Sequence, residues 1–369
     1  MPHNPIPMVD LHQQYQTLKP EIQSAINATL DSTAFIMGPN VHAFEDEVSS
    51  YLNISHSVSC ASGTDALHLA LSALGLGPGD EVITPSFTFA ATAEAIKYVN
   101  ATPVFVDIDE TTLNIDPSCI QKAITEKTRA IIAVHLFGLP ADLDAIKSII
   151  GQKDIYLVED CAQSFGAKYK NEMTGTIGDI GCFSFFPSKN LGCYGDGGMI
   201  CTSNDSIYEK LKLLRNHGSP KRYEHTIIGY NSRLDEIQAA ILRIKLKRID
   251  EYNARRHENA NNYSARLNSL GITTPHEDVN SNHVYHQYTL TSPTRDNISS
   301  ALSNDNIASA IYYPKGLHQQ LAFSNDAKQP SLPVTELISS QCLSLPMYPE
   351  LNNKQIARIV DNIKEHLET

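Results

Sequence analysis

Short apolar runs alternate with longer amphipathic ones along most of this chain. Runs at Glu81–Pro85, 103–108, 130–136, 155–159, 180–186 and 199–202 are nearly continuous in apolar residues, as in strands buried on both faces. Between most of them, 64–74, 88–99, 117–124 and 143–150 carry apolar residues at helical spacing. Strand–helix alternation predicts βαβ units and a mostly parallel sheet. The runs at 180–186 and 199–202 follow each other too closely for a crossover, so they are expected to pair antiparallel. Upstream, helices near 18–32 and 40–52 are separated by Gly38-Pro39. Downstream, the pattern predicts a helix at 206–216, one long helix over 234–268, a half-buried strand at 284–290 and a helix from about 353.

Composition narrows the class. At 369 residues the chain is long enough for two domains, and 41% hydrophobic content marks it as globular. A net charge of −12 argues against nucleic acid as a partner, because phosphate binding needs a positive surface. The seven cysteines, Cys60, Cys119, Cys161, Cys182, Cys193, Cys201 and Cys342, are odd in number and scattered. They suit reduced thiols and not a disulfide framework or a zinc or iron–sulfur site, so no metal is expected. Without a signal pattern or an 18-residue apolar run, the expectation is a soluble cytoplasmic protein that does not enter a membrane.

The candidate chemistry centres on Lys189, between the apolar run Cys182-Phe-Ser-Phe-Phe-Pro and the glycine-rich Gly195-Asp-Gly-Gly. A solvated loop is the rule for lysine, but an amine set among apolar and small residues has a lowered pKa and can form a Schiff base with an aldehyde cofactor. Asp160 closes the run Ile155-Tyr-Leu-Val-Glu, which places a carboxylate at a strand's C-terminal end. By itself it reads equally well as a helix cap. Ser62-Gly63-Thr64-Asp65 opens a helix and could cup a phosphate, or merely cap. Phe87 and Phe89 follow a strand end, where an aromatic can stack on a flat ring or belong to the core. His135 and His217 read as structural or functional, the former more as structural. Arg215, Lys221, Arg222 and Arg233 are candidates for holding an anion inside an acidic surface, against the plain reading of solvated charges.

In order along the chain these pieces are Ser-Gly-Thr-Asp-Ala, Thr-Pro-Ser-Phe-Thr-Phe, Val-Phe-Val-Asp-Ile-Asp, Val-His-Leu-Phe-Gly, Glu-Asp-Cys-Ala-Gln, Ser-Phe-Phe-Pro-Ser-Lys-Asn, Gly-Asp-Gly-Gly, Arg-Asn-His-Gly and Gly-Tyr-Asn-Ser-Arg-Leu-Asp-Glu-Ile-Gln-Ala-Ala. The set resembles the DegT/DnrJ/EryC1/StrS family of nucleotide-sugar aminotransferases, of the fold-type I pyridoxal-phosphate class, from Ile6 to Leu351.

The resemblance implies an α/β fold: a three-layer α/β/α large domain with a mostly parallel sheet, 1–250, and a small α+β domain, 251–369. It implies that Lys189 carries pyridoxal 5'-phosphate and that Asp160 keeps the pyridine nitrogen protonated. Gln163 would bond the ring's phenolic oxygen, and Phe89 would stack on the ring. Gly63, Thr64 and Ser184 would bind the phosphate, and Asn231 would reach the phosphate of a neighbouring subunit, in a homodimer with shared sites. Tyr313 and His318 would contact substrate; Gly316 stands between them where the family often has a second proline.

The implied reaction moves an amino group from an amino acid, by the resemblance glutamate, to a keto carbon of a nucleotide-linked sugar, through pyridoxamine 5'-phosphate. The Cys-Tyr-Gly-Asp-Gly-Gly and Val-Tyr-His-Gln-Tyr-Thr stretches lean to a 3-keto sugar in surface-polysaccharide or glycoconjugate synthesis, such as lipopolysaccharide, with a 4-keto-6-deoxy sugar as runner-up. A dehydratase relative ranks lower, because Lys189 stands where that branch has histidine. A nicotinamide dehydrogenase ranks low for want of G-x-G-x-x-G after the first strand. The complete Lys/Asp/Gln set also weighs against a non-catalytic regulator.

Overall fold

The computed structural model describes residues 4–323 and 330–367. The first five strands of the chain all enter the central sheet: β1 (His56–Cys60), β2 (Glu81–Pro85), β3 (Thr102–Val106), β4 (Thr128–Val134) and β5 (Tyr156–Asp160). Two short strands follow, β6 (Lys168–Tyr169) and β7 (Glu172–Met173), then β8 (Ile180–Ser184) and β9 (Gly198–Thr202). Across the seven-stranded sheet the order is β1-β9-β8-β5-β4-β2-β3. Only β9 runs against the others, pairing Gly181 with Cys201 and Val58 with Ile200. The expected antiparallel pair is therefore present.

Helices cover both faces because the strands are apolar on both. On β4, Ala130, Ile132 and Val134 pack with α3 (Gly63–Leu74), α4 (Ala90–Tyr98) and α7 (Asp205–Leu214). Its alternate residues Ile131 and Ala133 pack with α5 (Pro117–Ala123) and α6 (Leu143–Ile150). Further along that second face, Phe183, Met199 and Cys201 meet α2 (Pro39–Leu52) and α8 (Glu236–Leu246). This is the three-layer α/β arrangement. α1 (Leu11–Ser32) lies outside α8, with Leu18 and Ile22 against Ile241. It starts earlier than the pattern near 18–32 indicated, because the Asp10 carboxylate accepts the Gln13 N–H at 2.9 Å and caps it.

Two further departures have physical reasons. β1 escaped the apolar pattern because Ser57 and Ser59 interrupt it; both are buried, and Glu45 accepts from the Ser59 N–H and hydroxyl at 2.8 and 2.7 Å. The long helix expected over 234–268 is two helices, α8 and α9 (Ile249–Leu267), broken at Lys247–Arg248. Neither glycine nor proline stands at that break, so no local signal announces it.

The C-terminal core gathers Tyr263 and Leu267 of α9 with β11 (Tyr288–Thr291), β12 (Cys342–Leu345), α10 (Arg295–Asn304) and α12 (Asn353–Leu367). β11 and β12 pair antiparallel, Tyr288 opposite Leu345. The strand expected from 284 begins only at Tyr288; residues 284–287 instead dock on the turn after β4, with Val284 N–H donating to Gly138 O at 3.1 Å. β10 (Ser281–Asn282) joins β6 and β7 in a small sheet, and α11 (Pro333–Gln341) leads into β12. Among the described residues no helix is long and apolar enough to cross a membrane.

Candidate active site

The C-terminal ends of β2, β4, β5 and β8 point to one edge of the sheet, where open α/β folds gather ligand groups. Asp160 is the last residue of β5 and is buried. Its carboxylate accepts from Thr92 Oγ1 at 2.9 Å and from Ala162 N–H at 3.2 Å. Burial raises its pKa; those donors and the Lys189 charge offset this only in part. Lys189 lies in the loop after β8, its N–H bonded to Phe186 O at 2.8 Å. Burial lowers its amine to about 8, against the opposing pull of Asp160.

Gln163 is fixed by both ends. Its carbonyl accepts from Phe137 N–H at 2.7 Å and its amide donates to Tyr313 OH at 3.2 Å. Tyr313 packs edge-on to Phe87 and, tilted, 6.3 Å from Phe89. Burial pushes its phenol well above the ordinary value. Phe89 stands at the start of α4, 58% exposed, so its ring faces open space on one side.

Gly63 begins α3 and lies directly against β8: a Cβ there would meet Ser184 Cβ at 2.5 Å. Ser62 caps the helix by accepting Asp65 N–H at 3.1 Å. The N–H groups of Gly63 and Thr64 form no hydrogen bond among the described residues, which leaves a helix start with donors to offer. Lys189, Asp160, Gln163, Tyr313, Phe89, Gly63, Thr64 and Ser184 thus share one edge of the fold.

Two further candidates have other partners. His318 is 2% exposed, behind Ser86, whose hydroxyl sits 2.7 Å from Nδ1 and accepts the His318 N–H at 3.0 Å; Nε2 is 3.3 Å from Glu336. It clamps the segment carrying Tyr313 onto the end of β2. Asn231 is exposed at the base of an excursion closed by the Asn216–Asn231 bridge and by His217 N–H donating to Tyr230 O at 2.8 Å. The excursion carries Tyr223, in its turn and 82% exposed, and Ile228, nearer its base and 90% exposed.

The other weighed residues separate cleanly. His135 Nδ1 accepts Ala141 N–H at 3.0 Å, so its proton is on Nε2 and goes to Glu159 at 2.9 Å. Glu159 is fully buried and also accepts from the N–H groups of Gly175, Ile177 and Gly178. Burial raises its pKa, but His135 and these donors outweigh it and hold it below the usual carboxylate range. With Cys161 these two form a close His/Glu/Cys group whose carboxylate is already filled by four N–H donors. Arg215 is buried in an ion pair with Glu45. Lys221 and Arg222 sit on the exposed excursion, and Arg233 donates to Asn216 Oδ1 at 3.1 Å. Tyr194 N–H is held by Gln238 Oε1 at 2.8 Å, a loop-shaping position.

The sequence reading passed over Thr92 and Asn190. Thr92 is in the first turn of α4, three residues after Phe89. Asn190 follows the lysine, and its amide donates to Asn253 Oδ1 and Val284 O at 2.8 and 3.0 Å.

Fold and site define an aminotransferase of the mostly parallel α/β type. The structure of S. venezuelae DesV in complex with a ketimine intermediate superposes with a TM-score of 0.97 at 41% identity, covering 100% of each chain. Residues 16–364 match the DegT/DnrJ/EryC1/StrS aminotransferase family, and the chain belongs to it. It is 49% identical to the UDP-N-acetyl-3-dehydro-alpha-D-glucosamine 3-aminotransferase of Acidithiobacillus ferrooxidans, over 98% of both chains. It is 43% identical to the UDP-2-acetamido-2-deoxy-3-oxo-D-glucuronate aminotransferase of Pseudomonas aeruginosa, over 95% of this chain and 97% of that one.

Proposed function

We propose that this protein is a pyridoxal-phosphate aminotransferase acting on a nucleotide-linked 3-keto sugar with glutamate as amino donor. The observation that carries the reading is the shared edge where a half-buried lysine, its amine lowered by desolvation to about 8, a buried strand-end carboxylate and a helix start with free N–H donors come together. That donor set fits the cofactor. Gly63, Thr64 and Ser184 would hold its phosphate, Asp160 its ring nitrogen, Gln163 its phenolic oxygen, Phe89 its ring face and Lys189 its aldehyde carbon. When bound, pyridoxal phosphate supplies an electron sink for the carbanion left when an amino acid loses its α-proton.

The chain's own groups do the rest. The Lys189 amine, largely neutral above pH 8, takes the α-proton and returns it on the other side of the transfer. A cationic partner favours the charged form of Asp160, overcoming the burial that raises its pKa in the structure as it stands. Gln163 cannot rotate away, because Phe137 N–H fixes its carbonyl and leaves the amide as donor. Asn231 would serve the site of a second copy.

The 3-keto preference is supported by the two relatives, named for a 3-dehydro and a 3-oxo sugar. The test supplies glutamate with UDP- and dTDP-linked 3-keto and 4-keto sugars and follows 2-oxoglutarate. Turnover of a 3-keto substrate is expected; turnover confined to 4-keto sugars would move the reading to the 4-keto-6-deoxy branch. A visible cofactor band abolished by borohydride, with the reduced adduct on Lys189, is expected of the purified protein.

A further inference from the structure

Lys245, on α8, is 1% exposed and, among the described residues, has no carboxylate at hydrogen-bonding distance. Its Nζ donates to Gly192 O at 2.6 Å and lies 4.1 Å over the Tyr194 ring. A buried cation with neutral partners is costly, and burial lowers this amine to about 8, against the weaker opposing effects of Cys193 and Glu350. What it holds is the loop of Lys189.

That loop is folded on itself. A Cβ on Gly192 would meet Pro187 O at 2.4 Å and Phe186 O at 2.8 Å, and the Lys189 N–H is bonded to the same Phe186 carbonyl. Gly192 is thus packed directly against the segment that leads into Lys189. Cys193 N–H closes the base on Phe185 O at 2.9 Å. α8 grips the loop twice, through Lys245 at Gly192 O and through Gln238 at Tyr194 N–H. Asn190 grips it from the opposite side, at Asn253 and Val284.

We propose that Lys245 is a positioning residue for Lys189: a buried cationic tether from α8 that sets where the reactive amine sits. The inference rests on the reading of Lys189 as the cofactor lysine. Without the tether Gly192 O loses its donor, and the loop relaxes around its remaining anchors. The fold keeps its core, so binding of substrates changes little while chemistry at Lys189 slows.

The experiment strips full-length wild type, Lys245→Met, Gln238→Leu and Lys189→Ala of cofactor and adds pyridoxal phosphate. The Lys189 amine adds to the aldehyde carbon and water leaves, which is followed as growth of the visible band. Lys245→Met is expected to attach the cofactor, and to turn over, roughly 10- to 100-fold more slowly, the scale of a small misplacement of a reacting group. KM for glutamate should stay within about twofold of wild type, as for an effect confined to the transition state. Wild-type attachment and kcat in a folded Lys245→Met overturn the proposal. If that variant does not melt cooperatively, Gln238→Leu decides: slowed attachment supports the tethered loop and an unchanged rate overturns it. A borohydride-fixed adduct on a residue other than Lys189 in wild type would overturn the cofactor role of Lys189 itself, and the tether with it.

Discussion

Lys189 and Asp160 divide one task between two opposite responses to burial. Desolvation lowers the amine to about 8 and raises the carboxyl, and each charge partly offsets the other's shift. Only the neutral amine attacks an aldehyde. Attachment of pyridoxal phosphate to the stripped protein should therefore speed up as pH rises through about 8 and level off above it; a rate that keeps climbing toward pH 10 would show an ordinary solvated lysine. Lys189→Ala should fold and show no attachment at any pH. Asp160→Asn should retain cofactor yet lose at least about 100-fold in kcat, the scale of a lost electrostatic partner at a reacting centre. Near wild-type turnover would reduce Asp160 to a cap for Thr92 and Ala162. The placement of both residues, an acid closing an apolar strand and a lysine in the loop before the glycines, was legible in the sequence because these are local patterns. Thr92 and Asn190 were not, since their partners are 68 and 63 residues away in the chain. His318, which the resemblance implies as a substrate contact, has partners that are equally remote in the chain, Ser86 and Glu336.

At the scale of elements, the site depends on how closely α3 meets β8. Gly63 has an ordinary helical backbone, so its lack of a side chain matters for space alone. A Cβ would collide with Ser184 Cβ, so Gly63→Ala must push the helix start outward. Overpacking of this kind costs about 1–3 kcal/mol. Cofactor affinity in Gly63→Ala should fall about tenfold, equivalent to ~1.4 kcal/mol, measured by equilibrium titration. Unchanged affinity would mean that the phosphate is held elsewhere. The elements themselves were readable where burial is continuous along the strand, as in β4, and where Gly or Pro punctuates, as at Gly38-Pro39. Reading failed at β1, whose buried serines bond to Ser49, Cys201 and Glu45. It failed again at Lys247–Arg248, where packing of α8 on the large core and of α9's second half on the C-terminal core requires a bend that local propensity does not demand.

The whole molecule leaves Asn231 and the excursion above it outside its own site. Tyr223, Ile228, Leu30, Phe35 and Ile36 are all exposed, and in the proposed dimer a second copy would cover apolar groups of this kind. The proposed twofold dimer with shared sites is open to a complementation test. Asn231→Ala should weaken cofactor retention while leaving the chemistry at Lys189 unaltered, and Lys189→Ala should be inactive. In the heterodimer, the intact Lys189 belongs to the Asn231→Ala chain. The asparagine serving that site comes from the Lys189→Ala chain, so this one site is whole while its twin lacks both groups. After subunit exchange in an equal mixture, half the dimers are mixed and one of their two sites is complete. At limiting cofactor, activity should then approach about a quarter of wild type, above the mean of the two parents. Exchange demonstrated by differently tagged chains, with no rise in activity, would place Asn231 outside the partner's site.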